Sequence, residues 1–581
     1  MVHLSGSLLG CALLLVSDNA LQALGVVLSR AEIRSQLALL NTTVDGRLHE
    51  AVPWELPCFS EYNGESAIPD EAACAAIQAN YTSPFERVQH FGTYMMPQWG
   101  TCQVTRPTGE CLLNVTNPED SAAYTGVNCS NGDIPSYYVD VRYPADVQAV
   151  IAFSNATGVR LSVKNKGHDY KGRSSGKNTL SLWVTNLNTI THDTSFTPEG
   201  CTTSYDALTI GPGAITEDIL EYVDSINRTF VGGYHQTVGA GGGYFLGGGH
   251  SVLSPVYGLA VDRVVQAKVV TPEGLYLVAN ECQNSDLFFA LRGGGGSAFG
   301  VVIESTHRLE PQLTLQVASI SFVGHSNSRN LAQWYSLLVN ETYKWGTEGW
   351  GGHITGPSLI YVTPLLSNAE AHASMQATAE FALAQGGTAV VEEVPSYLAF
   401  FSKYVPTAEA GVGTEITLGT RLLSTSLFAT EEGRATLSKT IANVLSFASP
   451  YIVAGTPFLF NHTVGSTSVT PAWYDSLWHL SVHGNWVWNS TAEDIADQYE
   501  AVTQHTQTFR DITPGSGAYF NEGDVYEPEH TEAYWGSNYA KLLSIKQKYD
   551  SHGVLDCWQC VGWKGPSDPL YECYIPLSQS S

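Results

Sequence analysis

Residues 164–175 read Lys-Asn-Lys-Gly-His-Asp-Tyr-Lys-Gly-Arg-Ser-Ser and lie between two short apolar runs, residues 159–163 and 180–184. Both runs predict β-strands, so the quoted residues form a loop between strands. Two glycines bracket His168 in this loop. Glycine lets the backbone adopt positive φ or approach a ligand closely. A loop that presents backbone amides, an imidazole and a guanidinium is suited to a large anionic cofactor.

A second glycine-rich segment, residues 231–261, has nine glycines between Gly232 and Gly249. Because glycine has no side chain to bury, such a segment does not build an ordinary core. Its backbone is suited to lying against a ligand whose oxygens accept hydrogen bonds from the amides. A flexible glycine-rich linker is the alternative. The apolar anchors Tyr234 and Phe245 within the segment argue against a linker.

Residues 262–270 read as a strand that leaves this segment, and a third glycine cluster follows at residues 293–300. The spacing of its small residues is similar to that of a dinucleotide-binding fingerprint. The order of elements is wrong for that motif, because a helix-like run precedes the cluster and a strand follows it, whereas the fingerprint requires strand, loop and helix. We therefore reject the dinucleotide interpretation. The glycine clusters together indicate one large ligand.

The second half of the chain predicts a separate α+β unit. From residue 312 to about residue 515, strand-like and helical runs alternate and glycine becomes rarer. One strand-like run has His479, Ser481 and His483 on a single face, since alternate residues of a strand share a face. That face could line a pocket or could simply be solvated, and the sequence leaves both open. A helix is predicted for residues 534–549.

Composition and charge limit the possible functions. The chain has 581 residues, too many for one ordinary core, and is 43% hydrophobic with 14% charged residues, which excludes bulk disorder. Acidic residues outnumber basic ones by 55 to 28, for a net charge of −27. This balance argues against nucleic acid and against anionic membrane surfaces as partners.

The N-terminus and the sequons indicate a secreted glycoprotein. An apolar run at residues 8–16 has the length of a signal-peptide core, with a buried helix as the alternative. Nine Asn-x-Ser/Thr sequons suggest N-linked glycans. They lie at Asn41, Asn80, Asn114, Asn128, Asn155, Asn227, Asn340, Asn461 and Asn489. Frequent prolines after the signal predict a wrapping extension with one convincing helix, residues 67–79.

The cysteines predict structural disulfides. Of eleven cysteines, ten remain once Cys11 leaves with the signal, and an even number suits an oxidising compartment. Cys201 and Cys282 stand alone between two clusters and could pair with each other. Cys557 and Cys560 form a CxxC, but no second Cys/His pair stands at metal-ligand spacing and no thioredoxin-like elements surround it. We expect no metal site there, and the sequence leaves the pairing open.

The three glycine elements, in this order, resemble the berberine-bridge-enzyme-like branch of the vanillyl-alcohol-oxidase flavoprotein superfamily, which has a PCMH-type FAD-binding domain. Residues 137–311 and 518–555 carry the resemblance, the latter through Tyr519-x-Asn521. The residues around His168 and the Asp-Cys-Trp-Gln-Cys sequence that ends at Cys560 are most similar to fungal secreted proteins of the isoamyl-alcohol-oxidase-like type.

The resemblance implies FAD bound through the 8α carbon of its ring to His168. Many members have a cysteine where this chain has His235, so we expect a single covalent link. The cofactor-binding residues that the resemblance implies are Lys164, Asn165, Gly167, His168, Asp169, Tyr170, Gly172, Arg173, Ser174, His235, Thr237, Val238, Gly239, Gly242, Gly243, Gly247, Gly248, Gly249, His250, Gly258, Asp262, Gly300, Val302 and Asn521.

The expected organisation is an α+β protein with a two-subdomain FAD domain and a substrate domain built on an antiparallel sheet. Its boundaries are a signal peptide at 1–23, a disulfide-linked extension at 24–135, the FAD domain at 136–312, the substrate domain at 313–515 and a return segment at 516–581 that packs on the FAD domain.

The implied activity is oxidation of an alcohol to a carbonyl, with O2 reduced to hydrogen peroxide. The proton acceptor candidates are Tyr519, His479 and His483, in that order. Three alternatives remain: a carbohydrate oxidase, an oxidative tailoring enzyme for a secreted metabolite, and a non-catalytic flavin-binding glycoprotein. The tryptophans that could stack on sugars are Trp345, Trp350, Trp473 and Trp486.

Overall fold

The structure is a computed structural model that describes residues 30–323 and 328–577. The predicted signal peptide, including Cys11, lies outside the described residues. The helices are α1 Arg30–Thr43, α2 Glu71–Asn80, α3 Pro84–Arg87, α4 Pro144–Thr157, α5 Thr216–Ser225, α6 Ser254–Tyr257, α7 Ala260–Arg263, α8 Ser285–Leu291, α9 Ser328–Thr347, α10 Asn368–Ala384, α11 Tyr397–Tyr404, α12 Ser426–Ala429, α13 Glu431–Val444, α14 Ala492–Ile512, α15 His530–Trp535 and α16 Tyr539–Tyr549. The strands are β1 Leu48–Glu50, β2 Glu61–Tyr62, β3 Glu65–Ser66, β4 Asn128–Cys129, β5 Tyr137–Asp140, β6 Leu161–Lys164, β7 Leu180–Trp183, β8 Ile190–Phe196, β9 Tyr205–Ile210, β10 Arg228–Thr229, β11 Val264–Val270, β12 Tyr276–Asn280, β13 Val301–Arg308, β14 Glu310–Pro311, β15 Leu315–Ser321, β16 Gly351–Thr355, β17 Ser358–Thr363, β18 Thr388–Val394, β19 Glu415–Ser424, β20 Tyr451–Ala454 and β21 Ser476–Trp486.

The His168 loop joins two parallel strands of a four-stranded sheet. The strand order is β1-β5-β7-β6, with β5 and β6 both parallel to β7. Parallel neighbours require a long crossover, and residues 165–179 supply it without a helix. Leu161, Leu180 and Leu182 are buried against Val147 and Ile151 of α4. The sheet therefore fixes both ends of the loop.

A five-stranded antiparallel sheet, in the order β12-β11-β13-β9-β8, supports the two later glycine segments. Its core contains Phe245 of the second glycine segment and Phe299 of the third. Phe520 and Trp535 of the C-terminal return segment are buried in the same core. Three stretches that are distant in sequence are thus packed on one sheet.

A seven-stranded antiparallel sheet, in the order β18-β15-β17-β16-β20-β21-β19, forms the second half of the molecule. On β21, Trp478, Leu480 and Val482 enter a core that also contains Phe509 of α14. Because side chains alternate along a strand, His479 points to the other face of β21. That face meets the return segment, since the Glu522 carboxylate lies 3.8 Å from Nδ1 of His479.

The N-terminal extension contacts both halves of the molecule. The backbone N–H of Met95 donates to Gly167 O (3.0 Å) in the His168 loop. Gln98 donates to the carbonyl of Ile416 (2.7 Å) in β19. All ten cysteines of the described residues are paired, and the predicted Cys201–Cys282 pair is among them. The other disulfides are Cys58–Cys74, Cys102–Cys573, Cys111–Cys129 and Cys557–Cys560.

The structure confirms the α+β class and corrects three local predictions. The helix predicted for residues 534–549 is broken at Gly536, whose φ is 51°. The strand predicted from residue 262 begins at Val264, because the Asp262 carboxylate accepts the Leu259 N–H (2.8 Å) and caps α7 instead. The extension has α1 and α3 in addition to the one helix expected there. No helix within residues 30–323 and 328–577 is long and apolar enough to cross a membrane.

Candidate functional site

The His168 loop is held rigidly by its own charged residues. The Asp169 carboxylate accepts the backbone N–H groups of Lys171 (3.2 Å) and Arg173 (2.6 Å) and forms an ion pair with the Arg173 guanidinium. Arg173 also donates to the carbonyl of Phe520 (3.1 Å) in the return segment. The loop is therefore hydrogen-bonded to the return segment, which was predicted to pack on the FAD domain.

Gly172 lies where the loop touches the extension and the C-terminus. Its φ is 77°, and a Cβ added there would lie 2.4 Å from a ring carbon of Trp99 and 2.6 Å from the Tyr574 hydroxyl. Two reasons thus require glycine at this position: the left-handed backbone and the absence of space.

His168 contacts the second glycine segment through side chains. Its Nε2 lies 2.9 Å from the hydroxyl oxygen of Thr237, and its ring centroid lies 4.6 Å from that of His235. The Thr237 contact involves Nε2 and leaves Nδ1 as the other ring nitrogen. Burial, followed by the neighbouring His235 and Lys166, holds the pKa of His168 well below its ordinary value. The ring is therefore neutral at physiological pH.

Two predicted asparagines clamp the glycine backbone. Asn165 packs against Gly239, where a Cβ would lie 2.3 Å from its amide nitrogen. Asn521 packs against Gly247 in the same way, at 2.2 Å from its amide oxygen, and donates to Gly243 O (3.1 Å). Side chains larger than hydrogen would push these elements apart.

An acid–base cluster lies between the second glycine segment, β21 and the return segment. The Glu522 carboxylate lies 3.2 Å from Nε2 of His250 and 3.8 Å from Nδ1 of His479. The Tyr519 hydroxyl accepts the Gly249 N–H (3.2 Å) and an amide N–H of Asn521 (2.7 Å). The ring centroids of His479 and Tyr519 are 5.6 Å apart. The predicted candidates Tyr519 and His479 are thus neighbours, on different elements.

Burial sets the protonation state of this cluster. It lowers the pKa of His479 to about 4, against the attraction of Glu522. Burial opposes ionisation of Glu522, but His250 and His479 outweigh it and hold the pKa of that carboxyl below its ordinary value. Burial and then Glu522 raise the pKa of Tyr519. At neutral pH the cluster contains a neutral imidazole at His479, a carboxylate and a phenol.

Unsatisfied polar atoms indicate where a ligand belongs. Buried side-chain atoms without a hydrogen-bond partner among the described residues include Asn165 Oδ1, Ser174 Oγ and His235 Nε2, and both ring nitrogens of His479. Buried polar atoms are rarely left unbonded. A Cβ at Gly243, in contrast, would meet nothing within 4 Å. Open backbone beside unbonded polar atoms fits the predicted flavin, whose ring and phosphates carry both donors and acceptors.

Some predicted residues have structural partners instead. The Lys164 ammonium donates to the carbonyls of Phe91 and Thr93 in the extension. The Asp262 carboxylate accepts from the Tyr474 hydroxyl (2.8 Å) as well as capping α7. His483 lies four residues beyond His479, about 13 Å along the strand, and does not join the cluster.

Glu522 was not predicted as a site residue, although it directly follows the matched Asn521. A carboxylate next to that asparagine was the available signal. Glu409, whose carboxylate lies 3.6 Å from Nδ1 of His235, was not predicted either. His353 and Tyr451 form a hydrogen bond with each other near the cluster, and no sequence pattern indicated them as site residues.

The same cluster has a spacing that a metal ion could use. The ligand atoms of His250, His479 and Glu522 all lie within 4.8 Å of one another. The Glu522 carboxylate contacts both rings of this group.

Three of the four tryptophans considered for sugar stacking are buried in cores and do not offer a surface on which a sugar could stack. Trp345 and Trp350 are buried in the core of the seven-stranded sheet, and Trp486 donates to Glu415 in another core. Only Trp473 lies beside the cluster, with its ring centroid 5.7 Å from that of His479.

Comparison with known proteins agrees with this geometry. The FAD binding domain family matches residues 135–280, and the "Berberine and berberine like" family matches residues 518–561. The first match covers the His168 loop and the second glycine segment, and the second covers the part of the return segment that contains Glu522.

Full-length relatives and a solved structure extend the match. The FAD-linked oxidoreductase ffsJ of Aspergillus flavipes is 39% identical over 90% of this chain and 92% of its own. The FAD-linked oxidoreductase OXR2 of Pyricularia oryzae is 38% identical over 90% and 91%. The crystal structure of the VAO-type flavoprotein MtVAO615 from Myceliophthora thermophila C1 superposes with a TM-score of 0.79, at 27% identity and 91% and 95% coverage. The chain therefore belongs to the FAD-linked oxidoreductases of the vanillyl-alcohol-oxidase and berberine-bridge-enzyme-like family.

Proposed function

We propose that this protein is a secreted oxidase that converts an alcohol to a carbonyl compound, with FAD attached covalently through His168 alone. When bound, FAD would accept a hydride and pass its electrons to O2, which leaves as hydrogen peroxide. The observation that carries the proposal is the state of His479: a buried, neutral imidazole whose ring nitrogens have no hydrogen-bond partner among the described residues, beside a carboxylate and the glycine cradle.

His479 is the proton acceptor that we favour. An alcohol must lose its hydroxyl proton as the carbonyl forms, so a group of suitable basicity must face it. The lowered pKa keeps His479 unprotonated and ready to accept. Glu522, 3.8 Å away, would stabilise the imidazolium that results.

Tyr519 suits a different role from that of a base. Its hydroxyl already accepts two hydrogen bonds, from Gly249 and Asn521. Its raised pKa keeps the proton on the phenol. A phenol in this state donates a hydrogen bond, so Tyr519 would orient the substrate oxygen while His479 takes the proton.

The proposed flavin contacts come from three elements. His168 and Asn165 belong to the first loop, the backbone of Gly242 and Gly243 to the second, and Asn521 to the return segment. The contacts between Asp169, Arg173 and Phe520 would keep the first and last of these in register.

Among the alternatives, a carbohydrate oxidase is disfavoured by the buried tryptophans, since Trp473 alone remains near the cluster. A tailoring oxidase differs only in the substrate. A non-catalytic flavoprotein would not require a buried imidazole at His479 whose ring nitrogens lack hydrogen-bond partners among the described residues.

The experiment is a substrate panel read by peroxide release and by anaerobic bleaching of the flavin. The panel contains aliphatic, aromatic and polycyclic alcohols beside mono- and oligosaccharides. With the best substrate, His479→Gln is expected to lose about 10²-fold or more in kcat/KM and to keep its flavin. His483→Gln, on the same strand face, is the matched control and should retain activity. Bleaching by sugars alone, or by no substrate, would reject the proposal.

Secretion is supported by the five disulfides and by the exposure of the sequons, since none of the nine asparagines is buried. Expression in a fungal host tests it: the protein should accumulate in the medium and lose mass on treatment with an N-glycosidase. Retention inside the cell, without glycan, would contradict this part of the proposal.

A further inference from the structure

His168 is one end of a chain of hydrogen-bonding groups that alcohol oxidation does not require. Its Nε2 lies 2.9 Å from Thr237 Oγ1. The same hydroxyl lies 3.4 Å from Nδ1 of His235, and that nitrogen lies 3.6 Å from a carboxylate oxygen of Glu409. Thr237 is 0% exposed, so water does not compete for its hydroxyl. His168, Thr237 and His235 are thus linked by contacts of 3.4 Å or less, and Glu409 lies beyond hydrogen-bond distance at the far end.

One backbone contact fixes the tautomer of neutral His235, the group that accepts from the Thr237 hydroxyl in the arrangement considered. The backbone N–H of Thr237 donates to Nδ1 of His235 at 3.3 Å. Because an N–H can only donate, neutral His235 carries its proton on Nε2 and offers Nδ1 as an acceptor. When the Thr237 hydroxyl points its proton there, its oxygen faces Nε2 of His168 as an acceptor. Neutral His168 then carries its proton on Nε2 and has a free lone pair on Nδ1.

We infer that Thr237 and His235 are positioning residues for covalent flavin attachment, which select the nucleophilic form of His168 and take up its Nε2 proton as the bond forms. This inference rests on the proposed attachment through His168.

The net reaction balances with O2 as the oxidant. A bond forms between Nδ1 of His168 and the methyl carbon at position 8α of the flavin, while one C–H bond of that methyl group breaks. The attached imidazole releases its Nε2 proton to Thr237, which passes its own proton to His235. Two electrons leave through the flavin ring to O2. The proton from the methyl group and the relayed proton complete H2O2.

The electrostatics of the path suit this role. Burial lowers the pKa of His235 to about 4, and His168 is neutral for the same reason. Neither ring therefore carries the second proton that would block attack. Burial raises the pKa of Glu409; in its ionised form, 3.6 Å away, it would stabilise a transient imidazolium at His235.

The test follows attachment directly, as flavin that remains with the chain after denaturation in acid. Full-length protein is produced under riboflavin limitation, mixed with FAD in air, and sampled over time. Thr237→Val removes the hydroxyl at nearly constant shape, and Thr237→Ser restores it. Thr216→Val is the matched control, because Thr216 is equally buried and its hydroxyl donates to Val238 O (3.1 Å).

Thr237→Val is expected to bind FAD but to attach it at least about tenfold more slowly. Thr237→Ser and Thr216→Val should attach it within about threefold of the wild-type rate. His235→Leu should also be slow, whereas His235→Asn, which keeps an acceptor near Nδ1, should be faster than His235→Leu.

Wild-type rates in Thr237→Val and His235→Leu overturn the inference. A slow Thr237→Val that Thr237→Ser does not rescue also overturns it, because packing then accounts for the loss. Wild-type protein that binds FAD but never retains it after denaturation would instead overturn the proposed attachment, an outcome that no variant is needed to recognise.

Discussion

The carboxylate of Glu522 lies 3.8 Å from Nδ1 of His479, and the two residues reach each other from different parts of the chain. His479 comes from β21, which lies next to the edge strand β19, and Glu522 comes from the return segment that packs on the FAD-binding half. The second oxygen of Glu522 lies 3.2 Å from Nε2 of His250, which follows Gly249 in the second glycine segment. The proposed acid–base centre therefore forms only when the return segment is docked.

Replacing Glu522 by glutamine should lower activity and shift its pH dependence. Opposite charges 4 Å apart attract by about 4 kcal/mol at an effective dielectric constant of 20. Glu522 is partly exposed, so we expect a smaller effect, about ten- to hundredfold in kcat/KM. Because Glu522 raises the pKa of His479, the acid limb of kcat/KM, expected near pH 4, should move to lower pH in Glu522→Gln.

The matched control for this variant is Glu529→Gln, an exposed carboxylate in the same segment. Its pH profile should overlay that of the wild type. An unchanged acid limb in Glu522→Gln would show that His479 does not control it. The measurement is kcat/KM from pH 3.5 to pH 8 by peroxide release.

Gly172→Ala should destabilise the protein by more than the left-handed backbone conformation alone explains. Gly158→Ala provides the comparison, since Gly158 has φ 72° but no atom within 4 Å of the added Cβ. We expect a loss of about 1–2 kcal/mol in Gly158→Ala from the left-handed conformation. Gly172→Ala should lose a further 1–3 kcal/mol through the clash with Trp99.

The two glycine variants are compared by thermal unfolding at one scan rate and by the flavin retained per chain. Gly172→Ala should lose both stability and flavin, whereas Gly158→Ala should keep its flavin. Equal midpoints would mean that Trp99 and Tyr574 can move away at little cost.

The cofactor half of this arrangement could be predicted from the sequence, because its signal is local. Glycines that are packed against side chains or a neighbouring backbone leave no room for a Cβ, so Gly172, Gly239 and Gly247 contribute to a compositional pattern that can be read directly. His168 stands between two such glycines. The pairing of Cys201 with Cys282 was also foreseeable, since both stand apart from the other cysteines.

The acid–base cluster could not be predicted in the same way, because it depends on tertiary contacts. Nothing in the sequence places Glu522 beside His479, and the choice between His479 and His483 needs the position of the return segment. The break at Gly536 was hidden for a different reason: a single glycine within an apolar-periodic run is compatible with a continuous helix.

The Cys102–Cys573 disulfide should stabilise the protein more than the Cys557–Cys560 disulfide. The first joins residues separated by 471 positions and the second by 3. The chain-entropy relation gives about 6 kcal/mol for the long closure and about 2 kcal/mol for the short one. Paired alanine replacements should therefore lower the unfolding midpoint more for the long bridge.

Both disulfide variants also need a flavin readout, because Cys102–Cys573 fixes the extension that contacts the His168 loop through Met95. Loss of the long bridge should reduce the flavin content, which the short bridge is not expected to affect. A larger effect of the short bridge would indicate that local packing, and not chain closure, determines the stability.

Asp133, which contacts Ser175 of the His168 loop, should make the stability of the protein depend on pH. Its carboxylate accepts from the Ser175 hydroxyl (3.0 Å) and the Lys177 N–H (2.9 Å), yet burial raises its pKa to about 7. The folded protein then keeps a proton on Asp133 that the unfolded chain releases near pH 4. Between these values the folded state binds more protons, so the contribution of Asp133 to stability falls as pH rises from about 4 to about 7.

Asparagine cannot ionise, so Asp133→Asn should gain stability relative to the wild type across this interval. A shift of about three pKa units corresponds to at most about 4 kcal/mol, and the difference should level off above pH 7. The measurement is the unfolding midpoint of both proteins at pH 4, 5.5 and 7. Asp45→Asn, at a side chain that is 82% exposed, should show no such trend. A constant difference between Asp133→Asn and the wild type at all three pH values would mean that Asp133 is ionised in the folded protein and that its two hydrogen bonds offset the cost of burying the charge.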